Sequence, residues 1–290
     1  MNYALDALWW KLEQQNVRDL ASLLTVPSLW NTGCELPVTT LLGDTGFRFL
    51  LALDKNPQPL LEHLRGVFPY QYRLGFYAES LLTFWLTYSP HWQLLARNVV
   101  VSEKSRTIGA LDFIAQTRNT DNSHLFHIEL TCKYYFSQYE PATETSFIGL
   151  NPTDHLNKKT NKLVQQLALI QHPDLQALIK QNNWQNITSS SIVRGIAFTP
   201  SGTLPKNTIL NPYAWAGSVY TPKTLPVQWQ ESRFLLFRSL KLLAPVRAEI
   251  NHTVAVETLL STDTPRICAA LSQRPDGLYH EENRFILLPD

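Results

Sequence analysis

Leu125-Phe-His-Ile-Glu-Leu-Thr-Cys-Lys-Tyr134 alternates without a fault. Phe126, Ile128, Leu130, Cys132 and Tyr134 fall on one side, and His127, Glu129, Thr131 and Lys133 on the other. Period-two alternation predicts a β-strand. Its second face carries an imidazole, a carboxylate and an ammonium, which are costly in a sheet interior unless paired or bound to a metal. Just upstream, Gly109-Ala-Leu-Asp-Phe113 reads as a short apolar strand with one acid, Asp112. Neighbouring strands lie about 4.8 Å apart, so inward-facing carboxylates of Asp112 and Glu129 can share one Mg²⁺ (or Mn²⁺). The bland alternative is a strand-end Asp112 and a Glu129 that pairs only with Lys133.

Working outward, residues 1–66 read as short helices. Leu5, Leu8, Trp9 and Leu12 recur at helical spacing and Val17 to Leu24 continues it, with Pro27, Asn31 to Gly33 and Pro37 as breaks. Asn56-Pro57 opens a further helix through Leu64. Residues 74–88 form an apolar helix whose only charge is Glu79, stopped by Pro90. Val99-Val-Val101 and Thr107 to Ala115 read as strands, joined to the third strand by a polar hairpin loop at Gln116 to Ser123. Leu156, Leu163, Leu167 and Ile170 mark a helix capped by Thr153 or Asp154, and Ile192 to Thr199 a fourth strand. Beyond Pro200 the proline-rich stretch to Gln230 reads as an irregular connection. Phe234 to Phe237, Arg266 to Leu271 and Arg284 to Leu288 read as strands.

Three further features bear on chemistry. Lys133 lies four residues beyond Glu129, about 13 Å along a strand, whereas Thr131 holds the nearer position. Lys159, on the following helix, is therefore a second candidate for the cation that orients water and offsets phosphate charge. Lys158, Lys159 and Lys162 form a modest basic stripe suited to a phosphate backbone, or simply a wet helix face. A lone Glu79 in an apolar helix needs a partner, which can be a metal, a water or Arg73.

The 290 residues are 44% hydrophobic and 17% charged, enough for one large core or two domains. A formal net charge of +1 excludes a global basic field, so any nucleic-acid contact must be local and a protein partner stays open. Cys34, Cys132 and Cys268 are scattered and odd in number, which argues against a disulfide framework or zinc knuckle and fits a cytoplasmic location. No uninterrupted apolar run predicts a signal peptide or membrane span. No phosphate-cradling Gly loop, G-x-S-x-G or H-E-x-x-H is present.

The order helix (Glu79), strand, strand (Asp112), strand (Glu129, Lys133), helix, strand resembles the PD-(D/E)XK, or restriction-endonuclease-like, nuclease superfamily. More narrowly, several segments resemble the domain of unknown function 1853 family (DUF1853), which is grouped with that superfamily. They are Arg73-Leu-Gly-Phe-Tyr-Ala-Glu79, Thr107-Ile-Gly-Ala-Leu-Asp-Phe113, His127-Ile-Glu-Leu-Thr-Cys-Lys133, Gly149 to Lys159, Leu243-Ala-Pro-Val-Arg247 and Arg284 to Pro289. The chain departs from the wider signature in having Leu111 rather than Pro before Asp112. The usual Glu-x-Lys reads Glu129-Leu-Thr131. The resemblance implies an α/β fold with a restriction-endonuclease-like core at 67–200, an N-terminal helical layer at 1–66 and a C-terminal β-rich subdomain at 201–290. It also implies a Mg²⁺-dependent nuclease, with DNA ahead of RNA as substrate. Asp112 and Glu129 would hold metal, Lys133 the nucleophile, and Glu79 would be the helical acid. The rival expectation is a catalytically inactive nuclease fold serving as a binding module, with Trp215, Tyr220 and Trp229 as contact surface.

Overall fold

A computed structural model describes residues 11–66, 73–103, 106–118, 123–184, 186–237, 243–261 and 263–289. The helix expected at Leu5 to Leu12 falls almost wholly outside them. The helices are α1 (Gln15–Thr25), α2 (Val38–Leu42), α3 (Gly46–Lys55), α4 (Gln58–Arg65), α5 (Leu74–Tyr88), α6 (Leu156–Ala168), α7 (Pro173–Gln181) and α8 (Val256–Leu260). The strands are β1 (Trp92–Glu103), β2 (Arg106–Thr117), β3 (Leu125–Phe136), β4 (Thr188–Thr199), β5 (Ala216–Tyr220), β6 (Arg233–Leu236), β7 (Arg247–Ala248), β8 (Arg266–Gln273) and β9 (Tyr279–Leu287). The fold is mixed α/β. The nine strands among the described residues form a sheet whose pairings are mostly antiparallel, with parallel pairs at β4–β5 and β5–β9.

The chain divides into two compact units, Met1–Cys132 with Lys158–Arg194, and Lys133–Asn157 with Gly195–Asp290. In the first, β1, β2, β3 and β4 are successive neighbours. Leu111 and Ile114 of β2 join Val101, Ile170, Leu175 and Ile179 in one apolar cluster, which seats α7 and the chain leading into it. Helix α5 is pinned at several points. The Tyr77 hydroxyl donates to Asp19 Oδ2 at 2.9 Å, His63 Nε2 donates to the Ser80 carbonyl at 3.1 Å, and Trp85 Nε1 donates to the Leu41 carbonyl at 2.9 Å. These contacts fix the rotation of α5 and so the direction in which Glu79 leaves it.

Arg194 ties β4 to α1. Its guanidinium donates to the Leu23 carbonyl at 2.7 Å and the Leu24 carbonyl at 3.4 Å, oxygens that the end of a helix leaves without intrahelical partners. Burial lowers its pKa to about 10. In the second unit, β5, β9, β8 and β6 are successive neighbours, and β7 pairs with β9. Phe198, Ile267 and Ile286 centre one cluster there, and Phe234, Cys268 and Phe285 another.

Two differences from the sequence reading have local causes. Strand β1 starts seven residues before Val99. Arg97 and Asn98 break its apolar pattern, and Asn98 takes a φ of 51°, a left-handed conformation that Asn tolerates better than most residues. Strand β5 lies within the stretch read as irregular. It is five residues long, too short for a periodic signal.

Candidate functional site

The antiparallel ladder between β2 and β3 runs Gln116↔Leu125, Ala115↔Phe126, Ile114↔His127 and Phe113↔Ile128. One step further, the same register sets Asp112 opposite Glu129. There the side chains take over from the ladder. The Asp112 N–H donates to Glu129 Oε1 at 3.2 Å, and the Leu130 N–H donates to Asp112 Oδ2 at 2.9 Å. Each carboxylate thus binds the backbone of the other's strand. Like charges directly opposite one another on a sheet repel. Burial first, and then the neighbouring Glu129 charge, push the Asp112 carboxyl up to about 7.

Glu129 and His127 are almost fully buried. His127 Nε2 lies 2.7 Å from Glu129 Oε1 and its Nδ1 lies 3.1 Å from Ser189 Oγ. The Ser189 hydroxyl donates to the Leu167 carbonyl at 3.2 Å. This chain runs from α6 through β4 to β3 and fixes the imidazole plane. Glu129 Oε1 also accepts from the Asp112 backbone, so the shared oxygen acts as an acceptor towards His127. With Nε2 donating, His127 fixes the orientation of the Glu129 side chain.

Glu79 joins this group from α5 and is half-buried. Burial raises its pKa. The cations Arg97 and Lys159 offset that rise, and the Glu129 charge adds to it. Three acids from α5, β2 and β3 therefore lie within reach of one another's charge, with Lys159 as a counter-charge to Glu79 and Asp112. Arg73, the partner considered from sequence, instead lies over the Phe76 ring at 5.9 Å.

The lysines separate. Lys159 is half-buried, while Lys158 and Lys162 are exposed. Lys133 belongs to the other unit, where its ammonium is paired with Asp154, which also accepts from the Tyr135 hydroxyl at 3.0 Å. Of the two lysines considered for the cation, Lys159 is the one whose charge acts on Glu79 and Asp112. Two contributors escaped the sequence reading: Arg97 and Ser189. Arg97 and Ser189 carry no local signal, because their partners are far away in the chain.

Among the described residues, no three His, Cys, Asp or Glu side chains form a group able to hold a metal ion. Asp112 and Glu129 are the two carboxylates that the end of the β2–β3 ladder brings together. Mg²⁺ suits that arrangement, since it commonly keeps waters and takes further oxygens from phosphates. Among the same residues no helix is long and apolar enough to cross a membrane. No curated protein and no solved structure matches the chain. A family model does match, over residues 18–288, and the chain accordingly belongs to the family described as Domain of unknown function (DUF1853).

Proposed function

We propose that the protein is a divalent-metal-dependent phosphodiesterase acting on nucleic acid, DNA ahead of RNA, built on a restriction-endonuclease-like core. The observation that carries this reading is the meeting of Asp112 and Glu129 where the β2–β3 ladder ends, each clasped to the opposite strand. Two opposed carboxylates held in this way are a costly arrangement that a divalent cation relieves. The element order α5, β1, β2, β3, α6, α7, β4 supports the same core, with α7 added to the expected sequence.

Asp112 and Glu129 would hold Mg²⁺ or Mn²⁺. Bound there, the cation supplies Lewis acidity to a phosphoryl oxygen and acidifies water. The chain's own residues do the rest. His127 fixes the Glu129 carboxylate, Lys159 offers positive charge to the phosphate, and Glu79 is the third acid. Lys158 and Lys162 sit exposed on the same helix as Lys159 and would meet the nucleic-acid backbone. Lys133, bound to Asp154, would serve the local structure of its own unit.

One observation favours a non-catalytic binding module. Glu129 already has His127 as a buried partner, so it needs no metal to be satisfied. In that reading the aromatic surface loses ground, since Tyr220 and Trp229 are packed on Phe285 with centroids 5.6 and 5.1 Å away. Cleavage of single- and double-stranded DNA in Mg²⁺ separates the two. Asp112→Asn and Glu129→Gln, which keep the backbone hydrogen bonds, are expected to slow cleavage by at least about 100-fold. Wild-type rates in both variants would remove this site from the reaction.

A further inference from the structure

Thr131 follows Glu129 by two residues and shares its face of β3. The residue is 3% exposed, and among the described residues its Oγ1 has no hydrogen-bond partner. An unpaired buried hydroxyl is destabilising, a cost that an isosteric Val would avoid. The unpaired group therefore points to a missing partner. Helix α6 reaches the same face of β3 through Ser189. Its Leu167 carbonyl meets Ser189, which meets His127, so that end of the helix lies near the start of the strand face. Lys159 is eight residues back, about 12 Å along a helix. Thr131 is four residues on from His127, about 13 Å along a strand. The charge of Lys159 is felt by both Asp112 and Cys132, the residue after Thr131. On the same helix, Gln166 Oε1 is a second buried polar atom without a partner among the described residues.

We infer that the Thr131 hydroxyl holds the attacking water of the proposed hydrolysis, in the position beside Glu129 from which Lys133 is displaced. This rests on the phosphodiesterase reading. In that reaction the water oxygen bonds to phosphorus and the phosphorus–oxygen ester bond breaks. The water's proton passes to solvent, and the leaving oxygen takes up a proton from solvent. Thr131 neither gains nor loses a proton overall. Its task is to place the water.

The experiment compares wild type, Thr131→Val and Thr131→Ser by thermal melting, Mn²⁺ calorimetry and single-turnover cleavage of a DNA duplex. A crystal structure of the Mn²⁺-loaded wild type locates the water. Thr131→Val is expected to melt at or above wild type, to bind Mn²⁺ as wild type does, and to cleave on the order of 100-fold more slowly. Thr131→Ser restores the rate, and the crystal structure shows a water on Thr131 Oγ1. Full-rate cleavage by Thr131→Val, or a wild-type structure with no water on that hydroxyl, overturns the inference while leaving the metal site standing. A wild type that binds no Mn²⁺ and cleaves no DNA overturns the phosphodiesterase reading and the inference with it.

Discussion

Asp112→Asn makes the metal-free protein more stable at pH 8 and leaves its stability at pH 4 nearly unchanged. The Asp112 carboxyl is pushed up to about 7 by burial and then by the opposing Glu129, against an ordinary value of 3.8. Between those two pH values the folded chain keeps a proton that the unfolded chain has released. Proton binding then favours the folded state, so stability falls as pH rises through the window. Above about 7 the full penalty is present, and below about 4 it is absent. Asn carries no charge at any of these pH values and can still accept the Leu130 N–H. The variant should therefore gain on the order of 2 kcal/mol over wild type at pH 8, less than the full shift would imply because the two acids are coupled. Urea unfolding at pH 4 and pH 8 measures it. A wild type and variant with parallel pH profiles would mean that Asp112 is not strained by its neighbours. Mn²⁺ should raise the midpoint of wild type and leave that of the variant unmoved, because only a folded state that binds the ion is stabilised by it.

Arg194→Ala has the second large effect, and it concerns the fold alone. Arg194 is almost fully buried and satisfies the carbonyls of Leu23 and Leu24 near the end of α1. Its truncation leaves those oxygens unpaired and opens a cavity between β4 and the helix. Hydrogen bonds from charged groups contribute about 1.5–3 kcal/mol each, and part of this is returned because a buried charge is no longer desolvated. A loss of about 3 kcal/mol is expected, read as a lowered urea midpoint for the first unit. Arg194→Lys should recover only part of it, since an ammonium cannot reproduce the planar fork. A loss under about 1 kcal/mol would mean that α1 is held by its apolar face and not by this cap.

The residues at the centre of the account were legible because their signals are local. The alternation of β3 fixes which side chains share a face, and it names His127, Glu129 and Thr131 together. Asp112 stands out as the one acid in its apolar run. The partner of Lys133 is not legible in the sequence, because Asp154, which pairs with its ammonium, lies 21 residues after it. The role of His127 was equally hidden, because Ser189 stands 62 residues away and its hydroxyl leads on to a backbone carbonyl of α6. Strand β1 was shortened in the reading by Arg97 and Asn98. A polar pair and one left-handed residue erase a periodic pattern without ending a strand, because the ladder with β2 resumes at Val99↔Leu111. Packing over long sequence separations decides such cases, and periodicity carries no information about it.

Isothermal calorimetry of Mn²⁺ binding at pH 7.5, with wild type beside Glu129→Gln, tests the central claim most directly. The substituted amide keeps an oxygen for the His127 and Asp112 N–H donors, so the fold and the clasp survive while one charge is lost. A saturable site in wild type that disappears in the variant is the predicted result. Equal binding in both proteins, or none in either, would contradict a metal site at the meeting of β2 and β3.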